Sequence, residues 1–191
     1  MEPADFSAKS IRNRNLLTVP LTNTTDERKA PKNKEQKLNE MQTKEKHFQC
    51  KILYHNVQSL KHKLEEIKIK TREEKFDIIS CVETWLDASH QNREIAMEGY
   101  KVIRKDRSHM PNRGGICIYI NKSLKMNLLN VPDHNTCACE NLWITVTNEK
   151  SKKCVIGLIY RSPSNTDFVA HIKADLEYIA SLNRPVIIMG E

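Results

Sequence analysis

Long apolar runs are missing from this 191-residue chain. None approaches the roughly 20 residues that a bilayer-spanning helix needs, so no membrane partner is expected. The opening Met1-Glu2-Pro3-Ala4-Asp5-Phe6 lacks the basic-then-apolar layout of a secretory signal. A soluble intracellular protein is the expectation, and its six cysteines should then be reduced. A second cysteine pair at zinc-finger spacing is also missing. The tightest group, His134-x-x-Cys137-x-Cys139, offers three donors, and a metal there is the disfavoured reading. Cys81 and Cys117 fall inside apolar runs and read as small core residues. No internal repeat is present. Hydrophobic residues are scarce at 39% of the chain, low for a globular protein of this length, and much of the deficit falls in residues 1–47.

What is abundant is charge. Lys and Arg number 31 against 24 Asp and Glu, a net +7. Of these, 10 basic and 7 acidic residues precede position 48, and 21 and 17 follow it. Both parts are mildly basic, which suits a polyanionic partner such as nucleic acid and equally an ordinary basic soluble protein. Residues 1–47 are rich in Pro, Asn, Thr, Lys and Glu with little apolar periodicity, and read as a disordered basic and polar arm. One domain is expected over 48–191.

Lys51–Tyr54 reads as a short strand ending in the polar cluster His55, Asn56 and Gln58. After Ser59, the residues Leu60, Leu64 and Ile67 give the stripe of an amphipathic helix. Phe76–Val82 is a near-continuous apolar strand ending at Glu83-Thr84-Trp85, of the kind buried on both faces. Strand, helix and strand predict a parallel pair whose polar ends, Asn56 and Glu83, share one rim. Short strands follow at Tyr100–Arg104, Ile116–Ile120, Lys125–Asn130, Asn141–Thr147 and Cys154–Tyr160, joined as a mostly antiparallel meander. A helix from about Thr166 carries Phe168, Ile172, Leu176 and Ile179 on one stripe, and Val186–Met189 is a last apolar strand. An open apolar edge there is expected to favour aggregation.

Asn56, Glu83 and Glu191 close three strands, and Tyr160 a fourth. Carboxylates and an amide on a sheet rim suit a hard divalent cation, since Mg²⁺ takes oxygen ligands and keeps waters for a phosphate to displace. Acidic residues at strand ends are also ordinary loop punctuation, and spacing alone does not decide between the two. The charged loop with Arg104, Lys105, Arg107 and Arg113 either contacts DNA phosphates or is simply solvated.

The stretches Ile52-Leu-Tyr-His-Asn56-Val-Gln-Ser-Leu60 and Asp77-Ile-Ile-Ser-Cys-Val-Glu83-Thr-Trp-Leu86 resemble the opening motifs of the endonuclease/exonuclease/phosphatase superfamily. The nearer resemblance is to the endonuclease domain of non-LTR (LINE-type) retrotransposon polyproteins. Gly99-Tyr100, Arg104-Lys-Asp-Arg107 and Arg113-Gly-Gly-Ile-Cys-Ile-Tyr-Ile120 continue it in order. So do Glu140-Asn-Leu-Trp-Ile144, Ile156-Gly-Leu-Ile-Tyr160-Arg-Ser-Pro163 and Val186-Ile-Ile-Met-Gly190. It covers residues 51–191 and not the arm.

The resemblance implies an α/β fold, a four-layer α-β-β-α sandwich of the DNase I-like type. It also implies Mg²⁺-dependent cleavage of DNA phosphodiesters, with Mn²⁺ as a substitute, and a nuclear setting for a functional enzyme. Glu83 matches the metal-binding glutamate, Asn56 the asparagine at metal and phosphate, and Tyr160 the tyrosine at the scissile phosphate. Glu191 stands where the family has the Asp of a Gly-Asp-x-Asn motif. Glu at that place shifts the carboxylate by about 1 Å, enough to misplace a catalytic group. The motif's Asn is absent, with the later Asp and Ser-Asp-His cluster that activates water, and His55, His90 and His171 do not match those positions. The expectation is a partial sandwich, truncated before its second half and inactive alone. A non-catalytic DNA- or protein-binding remnant and a relative acting on a small phosphoester are the alternatives.

Overall fold

The computed structural model describes residues 48–107, 113–131, 139–162 and 168–191. The expected arm at 1–47 and the His134 and Cys137 pair lie outside them.

The chain opens on the unit that the apolar pattern predicts. β1 (Ile52–Asn56) and β2 (Ile78–Val82) run parallel, in register from Ile52 opposite Ile78 to Asn56 opposite Val82. Between them α1 (Leu60–Glu74) buries Leu60, Leu64 and Ile67 on one face. Lys75 ends the helix in the left-handed region, its N–H donating to the Thr71 carbonyl at 2.9 Å. After a short 3₁₀ turn at Asn92–Ile95, β3 (Tyr100–Lys105) and β4 (Ile116–Asn121) form an antiparallel pair. β4 also pairs antiparallel with β2, closing a sheet of order β1-β2-β4-β3.

The second sheet is a meander of β5 (Lys125–Leu128), β6 (Cys139–Thr147) and β7 (Lys153–Arg161), followed by α2 (Phe168–Ser181) and β8 (Val186–Gly190). β8 runs parallel to β7, giving the order β5-β6-β7-β8. The expected continuous meander is therefore divided between two sheets after β4.

Three apolar layers hold these elements. Ile78, Val82, Ile116 and Ile118 from the first sheet meet Leu142, Ile144, Ile156 and Leu158 from the second, so the sheets pack face to face. Outside the first sheet, α1 packs through Leu60, Leu64 and Ile67 on Leu53, Ile79, Cys81 and Cys117. Outside the second, Ile172 and Ile179 of α2 pack on Trp143, Val155 and Ile159. The architecture is a four-layer α-β-β-α sandwich. β2 is buried along its whole length, as expected. β8 is an edge of its sheet among the described residues, with Ile188 48% exposed.

α2 differs from the expected stripe at one position. Leu176 is 38% exposed, whereas Asp175 is 4% exposed and accepts hydrogen bonds from Asn141 Nδ2 and from Trp143 Nε1, the latter at 3.1 Å. The inward line runs Phe168, Ile172, Asp175 and Ile179, since the buried indole donor of Trp143 on β6 needs an acceptor there.

Gly157 sits opposite Trp143 in the β6–β7 register. A Cβ at Gly157 would lie 2.3 Å from the indole ring. Gly157→Ala is expected to destabilise the chain by about 1–3 kcal/mol through overpacking, read as a lower urea midpoint at unchanged slope.

Cys50, Cys81, Cys117 and Cys154 are free and buried. Burial pushes the Cys50 and Cys154 thiols up to about 12, so they are poor nucleophiles. No helix among the described residues is long and apolar enough to cross a membrane.

Candidate active site

The rim where β1, β2 and β4 meet is built first from backbone. Val57 N–H donates to the Val82 carbonyl at 3.0 Å, Ser59 N–H to Glu83 at 2.9 Å and Leu60 N–H to Thr84 at 2.9 Å. The first free donor of α1 is thereby satisfied without a side-chain cap. From the other side, Thr84 N–H donates to the Gly115 carbonyl at 3.1 Å and Trp85 N–H to Gly114 at 2.9 Å. Segment 83–85 is thus stitched between the β1–α1 turn and the start of β4.

This geometry forces unusual backbone. Gln58, Ser59, Glu83 and Trp85 have φ of 42°, 88°, 58° and 55°. Each such non-glycine residue costs about 1–3 kcal/mol and persists only where its surroundings over-determine it. Gly115, at φ 81°, has no such freedom to change: a Cβ there would lie 2.4 Å from Thr84 Oγ1.

On this frame the side chains converge in two pairs. The Tyr160 hydroxyl donates to Glu83 Oε1. Glu83 Oε2 accepts from Trp85 Nε1 at 2.6 Å and from Gly114 N–H at 3.1 Å, so three donors hold one carboxylate. Asn56 Nδ2 donates to Glu191 Oε2 at 2.7 Å across 135 residues of chain. The β7–β8 ladder brings Glu191 there: its N–H donates to the Ile159 carbonyl, and its own carbonyl accepts from Arg161. Asn56, Glu83, Tyr160 and Glu191, chosen from sequence, therefore meet at one rim.

The four basic residues do not stay together. Lys105 and Arg113 are exposed. Arg104 turns inward, donating to the His90 carbonyl at 2.6 Å and pairing with Asp106 at 3.2 Å. Arg107 pairs with the buried Glu140. His90 bonds to Asp87 through Nδ1 at 2.8 Å, and His55 alternates to the α1 side of β1.

Sequence reasoning passed over Tyr54, Trp85, Gly114 and Glu140. Tyr54 precedes Asn56 by two residues and so shares its strand face, the signal that was there to read. Its hydroxyl is buried without a partner, and burial, with the Glu191 carboxylate adding to it, pushes the phenol up to about 12. Glu140 sits opposite Tyr160 in the β6–β7 register, which no local pattern reveals.

Asn56 Oδ1 is buried and unpartnered, although its Nδ2 is bonded to Glu191. An orphaned amide oxygen beside two carboxylates fits a hard cation. Among the described residues no cluster of three or more His, Cys, Asp or Glu forms a metal cage, so the donors are two carboxylates and an amide. Mg²⁺ accepts such a sparse set because it retains waters.

No protein-family model and no curated protein matches the chain. Solved structures do match its fold. The endonuclease domain of TRAS1, a telomere-specific non-LTR retrotransposon, superposes at a TM-score of 0.54 with 13% identity over 73% of this chain and 57% of that one. The AP endonuclease LMAP from Leishmania major gives 0.52 with 16% identity over 73% and 54%. A mannosyl-6-phosphatase from Bacteroides thetaiotaomicron gives 0.51 with 16% identity over 74% and 63%. The chain shares the fold of these structures, a DNase I-like α-β-β-α sandwich. It spans between half and two thirds of the length of each of these structures. Nucleases and a phosphatase share the fold, so the fold alone does not select a substrate.

Proposed function

We propose that this chain is an endonuclease-type domain of the non-LTR retrotransposon kind, built for Mg²⁺-dependent DNA cleavage with Mn²⁺ as a substitute metal but inactive alone, and nuclear if functional, otherwise cytoplasmic. The carrying observation is the unpartnered Asn56 Oδ1 on the rim that also holds Glu83 and Glu191. Glu83 and Asn56 would hold the metal, with Glu191 beside them. The bound ion supplies Lewis-acid neutralisation of charge on the phosphodiester. Tyr160 and Asn56 Nδ2 provide donors for phosphate oxygens, and the exposed Lys105 and Arg113 offer cations to the DNA backbone. The motif order in residues 51–191 supports the retrotransposon kind.

The 191-residue chain alone is proposed not to cut. Among the described residues neither His55 nor His90 faces the rim, and the lack of a water-activating base there would remove about 10²–10⁴ in rate. The same observation favours a second reading, a DNA- or protein-binding remnant without catalysis.

Titration with Mn²⁺, alongside nicking of supercoiled plasmid, separates these. The expected result is one bound Mn²⁺, weakened at least about tenfold in Glu83→Gln, and no nicking. Failure of the wild-type chain to bind Mn²⁺, with DNA binding that needs no metal, selects the remnant. Nicking that Glu83→Gln abolishes overturns the claim of inactivity and keeps the metal site.

A further inference from the structure

Arg107 and Glu140 close a ring around the candidate site. Arg107 Nε–H donates to Glu140 Oε1, and its guanidinium carbon stands 5.6 Å from the centre of the Tyr160 ring. Glu140 accepts from Gly115 N–H with its other oxygen. Gly114 N–H then donates to Glu83, and Glu83 accepts from Tyr160, which returns the path to Arg107. The turn rests directly on the ion pair: a Cβ at Gly114 would lie 2.6 Å from both Arg107 and Glu140 atoms. Arg107 is 13% exposed along its side chain and Glu140 is 4% exposed, so neither is arranged to meet DNA from solution.

A buried pair of this kind gains little net stability, because desolvation takes back most of the attraction. What it does supply is direction. The guanidinium is planar and rigid, and it orients a carboxylate and an aromatic face at once.

We propose that Arg107 and Glu140 are positioning residues of this site. Through the Gly114–Gly115 turn and the Tyr160 ring they set where the Glu83 carboxylate and the Tyr160 hydroxyl stand for an incoming metal-bound phosphodiester. The ligand rests on the metal-site reading above; the positioning does not.

The chain has two tryptophans, one at the rim and one between the second sheet and α2. Trp85 Nε1–H donates to Glu83 and Trp143 Nε1–H to Asp175. The test is indole ¹H–¹⁵N spectra of the metal-free chain and Mn²⁺ affinity of the same samples. Glu140→Gln and Arg107→Lys are compared with wild type at a temperature where circular dichroism shows each folded. Both variants are expected to shift or split the Trp85 resonance and leave that of Trp143 in place. Mn²⁺ binding is expected to weaken about tenfold in Glu140→Gln and less in Arg107→Lys, which keeps the cation. A pair that only stabilises the fold would lower the melting temperature and leave the Trp85 resonance and the Mn²⁺ affinity at wild-type values, and that result overturns the proposal. Should Glu140→Gln not fold, Arg107→Lys carries the same readout. If the wild type binds no Mn²⁺, the metal-site reading fails while the Trp85 resonance still decides the positioning: a shift sustains it and an unmoved resonance overturns it.

Discussion

Arg107→Met is expected to lower stability by about 3–5 kcal/mol at neutral pH, because it leaves Glu140 buried without its cation. Burial already raises the Glu140 carboxyl above the ordinary carboxylate range, with Arg107 and the Gly115 N–H opposing and Glu83 adding to the rise. A carboxyl whose folded pKa exceeds its unfolded one binds its proton more tightly in the folded chain. Its favourable contribution is therefore complete below the unfolded value and is lost as pH rises through the folded one. Removing the guanidinium moves the folded value further up. The deficit of the variant relative to wild type should then be largest at neutral pH and shrink as acid protonates Glu140. Adding Glu140→Gln to Arg107→Met keeps an acceptor for Gly115 and should recover most of the loss. Urea unfolding of wild type and both variants at neutral and mildly acid pH measures this. A deficit below about 1 kcal/mol, or one that grows on acidification, contradicts the account.

The second large effect lies on the opposite side of the second sheet. Asp175→Ala strips the acceptor from the buried Trp143 Nε1 and the half-buried Asn141 Nδ2, and is expected to cost about 2–4 kcal/mol. Leu176→Ala, one residue on, should cost no more than about 0.5 kcal/mol because Leu176 faces solvent. Asp175→Asn keeps a carbonyl acceptor and should fall between them. Thermal unfolding of the three variants decides the order. A larger loss at Leu176 than at Asp175 would mean that α2 docks by a different face.

That comparison also shows what a sequence withholds. The β1–α1–β2 unit was legible because Leu60, Leu64 and Ile67 are apolar where a helix must be buried, and β2 is apolar throughout. α2 was legible as a helix but not in its rotation, since its inward line includes a carboxylate whose partners lie over 30 residues earlier. A two-sheet sandwich was implied by the resemblance, but which strand joins which sheet was hidden for a related reason. β4 and β7 look alike in apolar content, and only pairing tells that one joins β2 and the other β6. At the rim, Asn56, Glu83, Tyr160 and Glu191 could be picked out because strand ends collect on one edge. Arg104 and Arg107 read like Lys105 and Arg113, as charged loop residues, until the positions of the His90 carbonyl and of Glu140 are known. Local pattern reports which residues an element can bury, and long-range partners decide which polar ones it does.

The stitching of residues 57–60, 83–85 and 114–115 has a consequence for how such a site drifts over time. Its joints are peptide groups, and every residue except proline brings the same peptide group. Side chains nearby other than the Arg107–Glu140 pair can be exchanged without loosening the seam, provided Gly114 and Gly115 stay small and the left-handed positions at Gln58, Ser59, Glu83 and Trp85 admit their replacements. The rim is in that sense a socket that outlasts the parts plugged into it. For redesign, it means that Asn56 and Glu83 can be given new neighbours while the backbone that aims them is left alone.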